Sequence, residues 1–326
     1  MDSCTHFCCP SFYLYTFVVK SLRAVSLQHA TLDDKGFADD RRFMVVYPVP
    51  LPASGSFGPQ DSTHRFLTQR QCPTLATGCA TIWKNSLIVT FGDQAFTLPL
   101  APPSPFPKVK AGIWGDQVLV HDMGDKAAKF FQAIVNKDSE CRAGDEGIEE
   151  VAMQMYQGVR LVYHSGKDRL ANEKFVPAVA KTWLGYSPPV SLTDGFPILI
   201  ACQASLDVLN GQLKEQGKSV IPMSRFRPNI VIQGTKPFEE DTWKTVKIGD
   251  QLFSIVKACP RCKESCTDQE TGKVSAEPVA IMKSFRALGE KGDDVYFAQN
   301  ALPLGRGMVD VNAPVHVLER GDPVYC

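Results

Sequence analysis

A chain of 326 residues with 44% hydrophobic and 21% charged content is long enough to bury a sizeable core as two domains or one elaborated one. Its 35 basic and 35 acidic residues cancel, so no global field draws it to nucleic acid or to an anionic membrane, and any anion site must be local. Eleven cysteines in a chain of this length, without a secretory signal, read as mostly reduced thiols rather than a disulfide framework.

Taken in chain order, the N-terminus carries an apolar run from Phe12 to Val19 with no basic residue before it. The run is far short of the ~20 residues a membrane span needs and is expected to be a buried strand. No signal peptide or mitochondrial presequence is recognisable, so a cytoplasmic location is the default expectation. From Leu14 to about Leu100 the runs LYTFVVK, RRFMVVYP, HRFLTQR, TIWKNSLIVTF and FTLPL alternate with turns, the pattern of a small antiparallel sheet or barrel. Between Tyr47 and Arg65 the stretch VPLPASGSFGPQDSTH reads as a long hairpin loop.

The segment DKAAKFFQAIVNKD spaces Ala127, Phe130, Phe131, Ile134 and Val135 as one helix face, with Asp125 as the expected N-cap. Ser139 to Glu150 breaks that period and is the expected linker between two halves. Beyond it, VRLVYH and FPILIAC are expected strands, SLDVLNGQL a helix with Leu206, Leu209 and Leu213 on one stripe, and Asn229 to Gln233 a further strand. KTVKIGDQLFSIVKAC predicts a hairpin turning at Gly249-Asp250, whose second strand delivers Cys259 and Cys262 to its end. Tandem repeats, heptads, a P-loop and a complete G-x-G-x-x-G fingerprint are all missing, which disfavours ordinary nucleotide enzymes.

Cys259-Pro260-Arg261-Cys262 places a guanidinium between two thiols, and a nearby cation raises the fraction of a thiol present as thiolate, the form that binds soft metals. The bland alternative is two small buried residues. A zinc site from Cys259, Cys262 and Cys266 lacks a second C-x-x-C pair for its fourth ligand. An iron–sulfur cluster lacks a fourth cysteine, and a redox disulfide is allowed by spacing but follows a hairpin instead of opening a helix.

PMSRFRPNIVIQG and KPFEEDTWKTVKIGDQLFSIVKACPRCKESCTDQETG are similar to the C-terminal MOSC domain shared by amidoxime-reducing components and molybdenum cofactor sulfurases. VVKSLRAVSLQHATLDDKGFADDRRFMVV, with RFLTQRQCPTLA, resembles the N-terminal β-barrel domain of the same family. The resemblance implies a mainly β, α+β chain: a MOSC-type β-barrel over 12–138, then a MOSC β-barrel-like domain with a few helices over 151–322. It also implies a molybdopterin with molybdenum, ligated by the second cysteine of the motif, Cys262, as metal ligand and catalytic residue. By the same resemblance Lys20, Ser21 and Arg41 face the cofactor's phosphate or pterin, Arg227 and Asn229 pair with the pterin, and Thr193, Asp194 and Arg261 complete the set. Guanidinium and ammonium groups suit a buried phosphate.

Three departures stand out. Lys263-Glu264-Ser265-Cys266 intervenes where the family has paired threonines after the metal cysteine, the loop from Val49 to His64 is longer than the usual turn, and FAQNALPLGRG is a looser version of the family's closing segment. His121, His164 and His316 are expected to be core or edge residues. Trp83, Trp114, Trp183 and Trp243 are expected in core or interdomain packing. The implied activity is reduction of an N-hydroxylated or N-oxide substrate. With no flavin, haem or nicotinamide motif, electrons would come from a separate cytochrome b5-type donor and its reductase, and a mitochondrial association becomes the second expectation for location. The alternative is a molybdenum cofactor or sulfur carrier without its own turnover, although the pyridoxal phosphate domain of the sulfurases would not fit beside this one. The blandest is a two-domain interaction protein that has lost its cofactor.

Overall fold

The computed structural model describes residues 11–49, 63–100, 107–142 (side chains to 138), 156–289, 292 and 294–325. The expected hairpin loop falls largely on residues 50–62, outside the described residues. In chain order the strands are β1 Phe12–Thr16, β2 Val25–Leu27, β3 His29–Asp33, β4 Gly36–Phe37, β5 Phe43–Pro48, β6 His64–Phe66, β7 Cys79–Trp83, β8 Ser86–Phe91, β9 Gln94–Pro99, β10 Lys108–Ile113, β11 Asp116–Asp122 and β12 Arg160–Tyr163. They continue as β13 Ile198–Cys202, β14 Ile230–Ile232, β15 Trp243–Ile248, β16 Gln251–Arg261, β17 Val295–Pro303, β18 Gly307–Asp310 and β19 Val315–Arg320. The mainly β expectation holds, with helices among them.

An eight-stranded sheet runs β19-β15-β16-β17-β13-β14-β1-β2, and β10-β11-β12-β5-β6 closes into a barrel. Two three-stranded sheets, β18-β3-β4 and β7-β8-β9, complete the set. Two pairings join segments that lie far apart in the chain. The N-terminal β1 lies antiparallel against β14 with Leu14 opposite Ile230, while β12 pairs with β5 in the barrel, Leu161 opposite Val45. Neither partnership is visible in local pattern, because both join segments far apart in sequence.

The helix Asp125–Arg142 packs Phe131, Ile134 and Val135 against Phe43, Val45 and Leu161. Asp125 is its first residue instead of its cap, and its carboxylate turns to Arg160 at 2.8 Å. The backbone stays helical through Ser139–Arg142, so the expected linker starts too early: these four residues contain no glycine or proline to stop a helix, and 143–150 lie outside the described residues. The second core gathers Leu14, Ile200, Ile230, Trp243 and Phe253. A third packs Leu206, Leu209 and Leu213 of the helix Gln203–Glu215, the expected stripe, against Phe226 and Phe297. The β15–β16 hairpin is as expected: Gly249 takes φ +58° and Ile248 faces Gln251.

The tryptophans divide differently from the expectation. Trp243 is core, but Trp83, Trp114 and Trp183 are each more than half exposed. Trp83 is the last residue of β7, Trp114 sits in a turn and Trp183 lies in the short helix Ala178–Leu184, and none of the three is aimed at a core.

Candidate functional site

The five segments that build the site come from distant elements. Lys20 and Ser21 follow β1, where Val19 bridges Phe43 and Lys20 N–H donates to Phe43 O at 2.8 Å. Arg41 precedes β5, Thr193 and Asp194 precede β13, Arg225 to Asn229 precede β14, and Cys259 to Ser265 end β16. All nine residues expected at the site, Lys20, Ser21, Arg41, Thr193, Asp194, Arg227, Asn229, Arg261 and Cys262, line one cavity together with Arg70, Arg225, Cys259 and Glu264. Ser21, Arg41 and Arg227 have φ of +69°, +49° and +56°, a left-handed backbone that costs non-glycine residues and concentrates where geometry matters more than stability.

Charge inside the cavity departs from the balance of the whole chain. Six basic side chains, Lys20, Arg41, Arg70, Arg225, Arg227 and Arg261, meet two carboxylates, Asp194 and Glu264. Burial works against the Asp194 carboxylate, but Lys20 in direct contact, with Arg70 and the Trp114 N–H, holds its pKa well below the usual carboxylate range. Arg227 is buried enough that its pKa is pushed down to about 10, partly offset by Glu264. Its guanidinium and that of Arg41 each sit 4.3 Å from the ring of Phe17.

Not every expected residue presents its polar group to the cavity. The Asn229 side chain is committed to the protein: Oδ1 accepts from Arg41 Nη1 (3.3 Å) and Leu199 N (3.2 Å), while Nδ2 donates to Asp40 (3.1 Å) and Tyr15 O (3.2 Å). It therefore sets the position of Arg41 instead of offering a free edge. Arg261 likewise turns to the carbonyls of Phe297 (2.6 and 2.9 Å) and Phe226 (3.0 Å). Strand alternation sends it away from the neighbouring thiol, so the expectation that its guanidinium sits beside the thiolate is corrected. The cation at Cys262 Sγ is Arg70, whose Nη2 donates at 3.0 Å and which also pairs with Glu264 at 3.1 Å.

The two thiols of the motif are distinct. Cys262 is exposed, whereas burial pushes the Cys259 thiol up in pKa and keeps it protonated. Extended backbone between them separates their Cα atoms by about 10 Å at ~3.3 Å per residue, beyond the ~7 Å a disulfide spans, which weighs against the redox reading. Cys266 is buried with its sulfur toward Ala276 O at 3.6 Å, and among the described residues no cluster of three or more His, Cys, Asp or Glu is arranged for a metal, which weighs against a zinc site.

Two buried hydroxyls in the cavity wall, Ser21 Oγ and Thr193 Oγ1, have no hydrogen-bond partner, and neither does Arg225 Nε. Three of the eight unpaired buried polar atoms among the described residues thus belong to the lining of this one cavity, and such groups are ordinarily satisfied by protein, water or a bound ion. Chemically, unpaired donors and basic side chains suit an anion, and the exposed Cys262 thiol beside them suits a soft metal. Arg70, Arg225, Glu264 and Trp114 were not singled out from sequence. Arg70 stands in TQR within a quoted string, yet only the fold brings it to Cys262.

The family model described as a MOSC domain matches residues 187–325, and the one described as a MOSC N-terminal beta barrel domain matches residues 12–138. β12 lies between these two matches and completes the barrel. Human mitochondrial amidoxime-reducing component 1 is 35% identical over 316 residues, covering 94% of this chain and 82% of that protein. Rat mitochondrial amidoxime reducing component 2 is 28% identical over 318 residues, covering 96% and 81%. A molybdenum cofactor sulfurase of Botryotinia fuckeliana is 31% identical over 109 residues, 32% of this chain and 13% of the sulfurase.

Proposed function

This chain belongs to the MOSC-domain family of the mitochondrial amidoxime-reducing components, and we propose that it is a molybdenum-cofactor-dependent reductase of N-oxygenated substrates supplied with electrons by a separate protein. The observation that carries the reading is the cavity itself: one exposed thiol, with unpaired buried hydroxyls and a lining richer in basic than in acidic side chains.

The residues fit the cofactor. Cys262 would ligate molybdenum, a soft thiolate suiting that metal. Lys20 and Arg227 would neutralise the phosphate, Arg225 being held by Asp268 and the Cys266 carbonyl, and Ser21 and Thr193 would complete their hydrogen bonds on it. When bound, the cofactor supplies oxygen-atom transfer coupled to two electrons. The chain's own work is to hold and to charge-balance. Arg70 fixes the Cys262 sulfur through its N–H and is itself held by Glu264. Reduction of an N–OH group to N–H releases water and consumes two protons with the two electrons, and Lys20 Nζ, held on Asp194, is a proton-bearing group inside the cavity. A cytochrome b5-type protein and its reductase are the proposed electron source, and a mitochondrial association is proposed on the names of the relatives.

The test compares wild type with Cys262→Ala, both purified without oxygen from a host that makes molybdopterin, for molybdenum content and for reduction of an amidoxime with a chemical donor. Near-stoichiometric molybdenum and turnover in the wild type, both lost in the variant, support the reading. Molybdenum without turnover moves it to a cofactor carrier. Zinc, or neither metal nor pterin, overturns it.

A further inference from the structure

Trp114 stands outside the groups assigned to the cofactor, yet it is placed at a cost. It is the first of two residues joining β10 to β11, where Ile113 faces Asp116, and its φ is +52°. Glycine and asparagine take that backbone readily and a bulky side chain does not. The indole is nonetheless fixed on three sides. Nε1 donates to Asp194 at 3.1 Å, the ring lies 5.2 Å from Phe66, and the Arg70 guanidinium sits 4.9 Å from its centroid. Even with these contacts, 53% of the residue stays exposed. Core burial is therefore not what offsets the turn's strain. What the strain secures is a flat aromatic wall beside Asp194 and Arg70, both of which line the cavity.

We propose that Trp114, with Arg70 against it, is the specificity-determining surface at the cavity entrance, selecting planar, conjugated N-oxygenated substrates such as aryl amidoximes over alkyl ones. This rests on the reductase reading above. An aryl amidoxime is flat and presents an amino group at its edge. Its ring stacks on the exposed part of the indole, and the Asp194 carboxylate accepts from the amino group. An alkyl amidoxime keeps the second contact and loses the first. Arg70, drawn to both the indole and Cys262, keeps the wall in register with the reacting end of the cavity.

The experiment measures dissociation constants of one aryl and one alkyl amidoxime by calorimetry on the molybdenum-loaded full chain, as wild type, Trp114→Leu and Trp114→Phe. A stacked aromatic pair corresponds to a change of about three- to tenfold. Trp114→Leu should weaken the aryl compound by that factor, leave the alkyl compound within about twofold, and be largely rescued by Trp114→Phe. Equal weakening of both compounds marks a purely structural tryptophan and overturns the proposal, as does an unchanged aryl affinity or a wild type that binds neither. Turnover with a chemical donor on the same samples separates the two readings. A wild type that binds both compounds and reduces neither removes the reductase reading while the affinity ratio still judges Trp114. One that reduces both, with a ratio that Trp114→Leu leaves alone, removes only the Trp114 proposal.

Discussion

Replacing Arg41 by methionine would leave the buried Asp40 carboxylate without its cationic partner while keeping the length of the side chain. Asp40 is 1% exposed and accepts from Arg41 Nη1 (2.5 Å), Phe17 N (2.8 Å), Asn229 Nδ2 (3.1 Å) and Thr16 Oγ1 (3.4 Å). Removing one partner of a buried pair costs about 3–5 kcal/mol, and the three neutral donors that remain place this case near about 3 kcal/mol. Adding Asp40→Asn removes the stranded charge and keeps an acceptor, so the double variant should sit within about 1 kcal/mol of wild type, about 2 kcal/mol more stable than Arg41→Met alone. Urea unfolding of wild type, both singles and the double reads this directly, with an unchanged m-value as the check that one transition is compared. A single variant within about 1 kcal/mol of wild type, or a double no more stable than Arg41→Met, would refute the view that Arg41 is the counter-charge of Asp40.

Ser21→Ala should leave stability unchanged or raise it by up to about 1 kcal/mol, because the hydroxyl is buried without a partner, yet molybdenum retention should fall; a loss of stability in thermal melts would show that the hydroxyl is already satisfied within the protein. Glu240 is wholly buried, and burial pushes its pKa up to about 7 although Ser205 Oγ donates to both of its oxygens at 2.8 and 2.9 Å. A carboxyl raised in the folded state contributes stability that is present below its unfolded pKa and is lost as pH rises through about 7. Between the unfolded carboxyl value of 4.5 and about 7, melting temperature should therefore gain less, or fall more, with rising pH in the wild type than in Glu240→Gln; parallel profiles for the two proteins would refute this.

How far the chain could be read before folding depends on the range of the interaction. The β15–β16 hairpin was legible because its alternation and its Gly249 turn are local, and so was the stripe of Leu206, Leu209 and Leu213. The nine cavity residues were reachable only through motif likeness, and their convergence rests on pairings such as β1 with β14 that no local pattern encodes. Arg70 and Trp114 escaped altogether. Each belongs to the barrel half but acts at the far side of the cavity, and a turn tryptophan looks like a core tryptophan until its neighbours are known. Arg261 misled for the opposite reason: proximity in sequence to Cys262 is not proximity in space when a strand alternates.

The seat of β1 between β14 and β2 has a consequence for biosynthesis. β1 is synthesised well before its partner β14, which lies more than 200 residues downstream, with Leu14 finally opposite Ile230. At about 5–20 residues per second, that strand waits on the order of 10–40 s with an unpaired apolar edge, in the window where chaperones and misassembly compete. Lys20 and Ser21, directly after it, are tied to Phe43 and Gln69 in the same half, but meet Asp194 and Arg227 across the cavity only once the later strands are in place. The cavity wall, which draws on residues from Lys20 to Asn300, is therefore complete only after β14, β16 and β17 have all been made.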